Sequence, residues 1–411
     1  MYGKLWRRIA FTLAALVVVR LGLAIPLPGI NPEIWMQIFR RQEGGLLGNA
    51  NMLSGGGLRT LSILALSITP YVTAAVLVQL FTMVSRRLHG LAEVGESGRR
   101  TIAFYVRCGA VLLAALQAYG IAVGLGGIAG VVSYPPLVFR LSTVLTLVAG
   151  TLFLVWLAEQ ITARGICNGL ALLLIAGFLA EGPPNLARVL EAARMDILAG
   201  WKLIAVAVMA VAFTAVVITV ERARRLVWVR FAEREVGDRR IGRQSVELTF
   251  KLNPGGIVPA LVASWVLLIV IVAAQLVSSG LGLRGLGDLL DSLAPGRPLY
   301  LALSAVIIIL FAFVYTAFLH DPARLARQLQ TLGGAVAELV PGTPTADYLD
   351  DTLTRVTALG AVYLAAIMLL PIVLAEWLGL PFAIGGTSLL VLVCLTLDIE
   401  EQVRALLSEL R

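Results

Sequence analysis

Between Lys202 and Glu221 the chain reads "LIAVAVMAVAFTAVVITV", eighteen residues without a charge. About 20 apolar residues are needed to cross the hydrocarbon core of a bilayer as a helix. Runs of the same kind occupy 9–19, 257–277 and 301–319. A chain inside lipid has no water to bond, so such a run must pair its own N–H and C=O groups, and a helix does this without a partner. The ten-residue alternating segments of a β-barrel are absent from the sequence. With 59% hydrophobic and 14% charged residues and a mean hydropathy of +0.89, the chain is far from the soluble mixture, in which roughly a quarter of residues are charged. The expected fold is an all-α polytopic membrane protein.

Ten spans are expected, at about 9–27, 68–84, 101–123, 140–160, 169–187, 201–220, 255–277, 300–319, 353–374 and 384–402. If the N-terminus is cytoplasmic, most of the 33 lysines and arginines lie on the cytoplasmic side, which is the orientation that basic loops select. An even number of spans then returns the C-terminus to the cytoplasm. The largest basic share is the loop 221–252. The first apolar stretch has a basic start (Lys4, Arg7, Arg8), but "RLGLAIPLPGINPE" follows with no small-residue cleavage pattern, so it reads as a retained span. Cys108, Cys167 and Cys394 are odd in number and read as buried small hydrophobes, with no disulfide framework or metal cluster.

Residues 51–71, "NMLSGGGLRTLSILALSITPY", break the pattern. Gly55, Gly56, Gly57, Arg59 and Pro70 suit a lipid-facing helix badly. They describe a glycine-hinged half-helix ahead of the second span, with Pro70 in that span's first turn, where no intrahelical donor is lost. A polar stretch with Ser54, Arg59 and Thr60 is tolerable only where water reaches it.

Catalysis finds little support. "GESG" at 95–98 has the form of a serine-hydrolase motif, but the nucleophile would need a base within reach. The two histidines, His89 and His320, sit at span ends, and Ser97 is expected in a loop, capping a helix that starts near Thr101. Neither HExxH nor GxxxxGK[ST] occurs. No cofactor is expected. A secondary transporter is the rival reading, because broken helices and intramembrane charge mark such proteins. Yet Arg20 and Glu159 fall near span ends and no polar cluster marks a solute site.

Six ordered stretches carry a resemblance: "RLGLAIPLPGIN" (20–31), "NMLSGGGLRTLSILALSITPYVTAAVLVQL" (51–80), "GESGRR" (95–100), "WLAEQITARGICNGLALLL" (156–174), "KLNPGGIVPALVAS" (251–264) and "PFAIGGTSLL" (381–390). Together they resemble the SecY family, the channel subunits of the bacterial protein-export translocase. The resemblance implies two pseudo-symmetric five-helix halves, 1–190 and 191–411, around a central hourglass pore. Unfolded secretory polypeptide would pass through that pore, and hydrophobic segments would leave sideways into the cytoplasmic (inner) membrane.

It also assigns residues. Ser54, Gly55, Gly56, Gly57, Leu58, Arg59, Thr60, Leu61, Ser62, Ile63 and Leu64 become a short plug helix; an ordinary re-entrant loop is the alternative. Ile68, Val72, Leu170, Leu174, Leu261 and Val391 become an aliphatic pore ring that would dewet when empty. Two of its pairs are spaced i,i+4, on one helix face, although each residue alone reads equally as packing. Gln79 and Asn253 become a polar latch of the lateral gate, unless each bonds within its own helix or to water.

Implied partners are a SecE-like subunit, a SecG-like subunit, and the SecA motor ATPase or the ribosome, docking on loops 221–252 and 320–352. Arg222, Arg224, Arg225, Arg230, Arg234, Arg239, Arg240 and Arg243 suit the phosphates of ribosomal RNA, and equally a topology anchor. The second loop departs from the family pattern. Val340 stands where an arginine is usual, with Asp347, Asp350 and Asp351 nearby, and the chain stops soon after the tenth span. A divergent or specialised member is expected.

Overall fold

One apolar helix packs along an alanine at every fourth residue. In the computed structural model this is α5 (Glu96–Gly126), which buries Ala110, Ala114, Ala118 and Ala122 in one stripe and turns Leu112 and Leu116 outward. Lipid tails are as apolar as leucine, so close backbone approach along small residues, rather than burial of large ones, holds such helices together. The structure describes residues 2–42, 51, 54–93, 95–195, 200–231, 234–236, 239–241, 244–263, 266–267, 292, 296–332, 334–336, 342–378 and 386–409.

These fall into two compact units, the described residues of 2–205 with 391–409, and those of 206–378 with 386–390. The first contains α1 (Tyr2–Ala24), α2 (Pro32–Gln42), α3 (Thr69–Val84), α4 (Arg86–Glu93), α5, α6 (Pro136–Arg164) and α7 (Gly169–Arg194). Its core joins Ala114, Ala118 and Ala122 to Leu27, Trp35, Phe39, Leu61, Leu66, Phe139 and Leu147. α8 (Gly200–Arg222) runs from this unit into the second.

The second unit adds β1 (Arg224–Phe231), β2 (Arg234–Val236), β3 (Arg239–Ile241), β4 (Gln244–Lys251), α9 (Pro298–Leu319), α10 (Pro322–Thr331), β5 (Gly334–Val336) and α11 (Thr343–Trp377); α12 (Gly386–Glu409) closes the chain. The span reading of the loops 221–252 and 320–352 left out a small sheet. β1 pairs antiparallel with β4, from Arg224 opposite Lys251 to Phe231 opposite Gln244, and with β5. The strand alternates as a half-buried strand must. Val227 and Val229 pack on Phe250, Ala326, Leu329, Leu349 and Leu353, while Leu226, Trp228 and Arg230 are exposed.

Among the described residues six helical stretches are long and apolar enough to cross a membrane: Glu96–Gly126, Pro136–Arg164, Gly169–Glu191, Gly200–Arg222, Pro298–Thr331 and Thr343–Trp377. They cover six of the ten expected spans. The first, second and tenth are the helices α1, α3 and α12, which are shorter or more charged. The seventh, 255–277, lies mostly outside the described residues, which resume as a helix only over 258–263 and 266–267. The protein is a polytopic helical membrane protein.

Two local expectations are corrected. α5 begins at Glu96, with Gly95 at φ 88° as its N-cap, so Ser97 is not the cap but sits in the first turn, its carbonyl accepting the Thr101 hydroxyl at 3.1 Å. A glycine reaches that φ without the Cβ clash that a serine would meet. Cys108 is exposed on α5 rather than buried, because it lies on the helix face opposite Ala110 and Ala114; Cys167 and Cys394 are buried as expected. Burial in the turn before α7 pushes the Cys167 thiol up.

Candidate functional site

The glycine-rich stretch is where the bundle spends its polar groups. Residues 54–68 form a succession of turns, not the short helix expected for 54–64. The reason is in the backbone. Gly55 and Gly56 have φ of 65° and 93°, and Leu61 and Ser67 are also left-handed at 43° and 52°. Each such residue ends a right-handed ladder, and a non-glycine residue there must be held by its surroundings.

Those surroundings are specific. Leu27 N–H donates to the Leu61 carbonyl at 2.8 Å and Ile63 N–H to the Ile25 carbonyl at 3.0 Å, a short antiparallel bridge between the segment and the chain leaving α1. The Thr60 hydroxyl donates to the Leu23 carbonyl at 2.9 Å, and the Trp35 indole to the Leu58 carbonyl at 3.0 Å. Helix glycines make room on three sides. A Cβ on Gly22 of α1 would sit 2.5 Å from Leu64 Cδ1, and one on Gly150 of α6 would run into the Ile63 carbonyl oxygen. A Cβ on Gly177 of α7 would come within 3.1 Å of the Gly55 Cα.

A buried polar knot closes the start of the segment. The Asn51 side-chain oxygen accepts from Arg59 N–H at 2.8 Å, and its carbonyl accepts from Gly56 N–H at 3.0 Å and the Ser54 hydroxyl at 2.9 Å. Its amide donates to Glu181 Oε2 on α7 at 3.1 Å. Arg20 on α1 donates to the carbonyls of Gly55, at 3.2 Å, and Ala176, at 3.4 Å. Arg20 read only as a charge near a span end, and Glu181 went unnoticed. Only the fold brings them to the same glycines.

At the end of the segment Ile68 is the residue before α3, and Pro70 occupies the first turn, as expected. α3 is 16 residues long, about 24 Å at 1.5 Å per residue, short of the ~30 Å hydrocarbon core. Ile68, Val72 and Leu170 belong to one apolar cluster with Leu23, Leu64, Leu154, Leu157, Ile161 and Leu173. Ile68 is only 1% exposed, whereas Val72 and Leu170 are half-buried. Leu174, half-buried one turn further along α7, and Val391, buried in α12, are outside that cluster. Leu261 is half-buried in the second unit.

The start of α7 is firmly set. Asn168 accepts from Leu170 N–H at 3.0 Å and Thr162 from Gly169 N–H at 2.8 Å, while Asn168 N–H donates to Gln402 of α12 at 2.8 Å. A Cβ on Gly169 would meet the Ala158 carbonyl, so α6 and α7 turn back on each other only with glycine there.

Asn253 is 3% exposed, and its amide donates to Glu221 Oε1 at 2.8 Å and to the Gly256 carbonyl at 3.1 Å, all within the second unit. Both of its protons are therefore committed without Gln79, which is exposed on α3. Glu221, at the end of α8, was not anticipated as its partner.

Of the eight loop arginines, Arg222 ends α8 and Arg224, Arg225 and Arg230 lie exposed on β1. Arg234, Arg239 and Arg240 belong to the β2–β3 hairpin. Arg243 and Val340 lie outside the described residues. Asp347, Asp350 and Asp351 lie on α11 beyond its first turn, and Asp351 pairs with Arg355 at 2.8 Å. A separate cavity of about 200 Å³ in the first unit is lined by Tyr71, Ala114, Thr151 and Trp156 and by an Arg107–Glu159 ion pair at 2.6 Å. None of the six ring residues lines it.

What sets this helical membrane bundle apart is the glycine-rich, polar segment seated among its spans. A family model for SecY matches residues 62–399. The chain is 41% identical over 408 residues to the protein translocase subunit SecY of Escherichia coli K12, covering 98% of this chain and 92% of the relative. It is 40% identical over 403 residues to that of Pseudomonas aeruginosa, covering 98% and 91%. A solved protein-conducting channel superposes with a TM-score of 0.59 at 17% identity, over 98% of this chain and 92% of that one. A solved SecY, studied for a plug domain that stabilises its closed state and maintains a membrane seal, gives 0.60 at 16%, with the same coverage. The chain belongs to the SecY family. It is a protein-conducting channel subunit and, as such, not an enzyme.

Proposed function

We propose that this subunit passes unfolded secretory polypeptide across the bacterial cytoplasmic membrane and releases transmembrane segments sideways into lipid, with both termini in the cytoplasm. Residues 54–64 act as the plug. The observation that carries the reading is the seating of 54–68: a chain of turns bonded to α1 and its exit, fitted against glycines of three helices, and leading straight into a short α3. A segment held by backbone bonds and glycine contacts, with left-handed hinges at Gly55 and Gly56, can leave as a unit without unfolding a helix.

Ile68, Val72, Leu170, Leu174, Leu261 and Val391 form the aliphatic waist. Such a ring grips a passing chain and excludes ions by dewetting when empty. The two halves, 1–190 and 191–411, open about this waist, and Gln79 and Asn253 lie on the faces that part. SecE-like and SecG-like subunits complete the channel. SecA or the ribosome docks on the arginine-bearing loop 221–252 and on 320–352 and supplies the energy. The exposed Arg224, Arg225 and Arg230, with Trp228 between them, suit a partner bearing phosphates.

Complementation of a SecY-depleted bacterium tests the proposal. Restored growth and export of a secretory reporter are expected. A chain that inserts at normal levels but exports nothing overturns it, and accumulation of a small solute in its place would favour a secondary transporter.

A further inference from the structure

Glu181 is an acid in the middle of an apolar helix, 2% exposed, and nothing in passing a polypeptide requires it. Buried carboxylates persist only where donors and opposite charge meet them. Here the donor is the Asn51 amide, at 3.1 Å from Oε2. The other oxygen lies so close over Gly56 that a Cβ there would strike it. The opposite charge is Arg20 on α1, which bonds the carbonyl of Gly55, the neighbour of the Gly56 that Glu181 overlies. Arg20 reaches past the segment, holding the Gly55 carbonyl on it and the Ala176 carbonyl on α7. An anion on α7 and a cation on α1 thus enclose the two hinge glycines.

We infer that Glu181 and Arg20 form a charge latch that sets how firmly the segment 54–64 is seated; the inference rests on the plug reading of that segment. Asn51 transmits the hold. It is bonded to Glu181 on one side and, on the other, gathers the Arg59 and Gly56 amides and the Ser54 hydroxyl. Both charged groups act by positioning the segment and touch no substrate in this role. A charge-assisted hydrogen bond is about twice as strong as a neutral one, so removing the charge alone, with shape kept, should loosen the segment.

The experiment uses the assembled translocase in proteoliposomes, with Cys108, Cys167 and Cys394 replaced and Ser62→Cys as reporter. Ser62 is 0% exposed and its hydroxyl has no hydrogen-bond partner, so the thiol is labelled by an impermeant maleimide only when the segment leaves its seat. E181Q is expected to raise the labelling rate and the resting ion efflux tenfold or more, and the charge-swapped pair R20E/E181R to recover part of the loss. If E181Q fails to assemble, N51A removes the same bond from the segment's side and must give the same rise. Unchanged labelling in E181Q or N51A overturns the latch. A chain lacking 54–64 that is as ion-tight as the parent overturns the plug reading instead, and the labelling rate still decides the latch.

Discussion

Gly150 sits at the midpoint of α6, against the Ile63 carbonyl. Replacing it by alanine puts a methyl group into that oxygen, with the Ile63 carbonyl carbon and Leu64 Cδ2 each 3.2 Å away. The backbone carbonyl cannot rotate aside as a side chain would, because Ile63 N–H is bonded to Ile25 and Leu61 is held by Leu27. The segment must therefore shift as a body or leave. Overpacking of this kind costs about 1–3 kcal/mol. Alanine also favours the helix by about 1 kcal/mol over glycine, but that gain is present whether the segment is seated or not and cancels. The seated state should lose roughly 5- to 150-fold in relative population. The assay is maleimide labelling of Ser62→Cys together with resting ion efflux. Gly124→Ala on α5 is the control, since a Cβ there meets nothing within 4 Å and supplies the helix gain alone. If Gly150→Ala labels and leaks no faster than Gly124→Ala, the seat of the segment is not the constraint argued here.

Two further outcomes are expected. Replacing Ile68, Val72, Leu170 and Leu174 by serine should raise the resting conductance of the channel in planar bilayers by tenfold or more, because hydroxyls wet a constriction that methyl groups keep dry; an unchanged conductance removes those residues from the waist. Asn253→Ala should destabilise the second unit by about 1–3 kcal/mol, the usual cost of leaving a buried partner unbonded. A double-mutant cycle read by thermal unfolding should then show coupling of Asn253 with Glu221, through their 2.8 Å bond; coupling to Gln79 alone would contradict the geometry.

Much of this protein could be read without coordinates, because lipid leaves a chain few choices. A run such as 203–220 must be a helix and Pro70 suits the first turn of one, both for reasons local in sequence. Six ordered motifs, those at 51–80 and 156–174 among them, together pointed to a family. Other features are tertiary. Gly150, Gly22 and Gly177 look like any glycines in apolar helices until the segment is found lying on them. Glu181 and Arg20 are 161 positions apart in number, and no periodicity relates them; α1 and α7 bring both to Gly55 and Gly56. The expected plug helix became a chain of turns because bonds to Ile25 and Leu27 outside it stabilise left-handed residues that a local helix would reject. Asn253 found Glu221 for the same reason. Helix formation is decided by the residues within one turn and by the solvent around them, whereas a buried polar partner is decided by which helices pack together, and that information is spread over the whole chain.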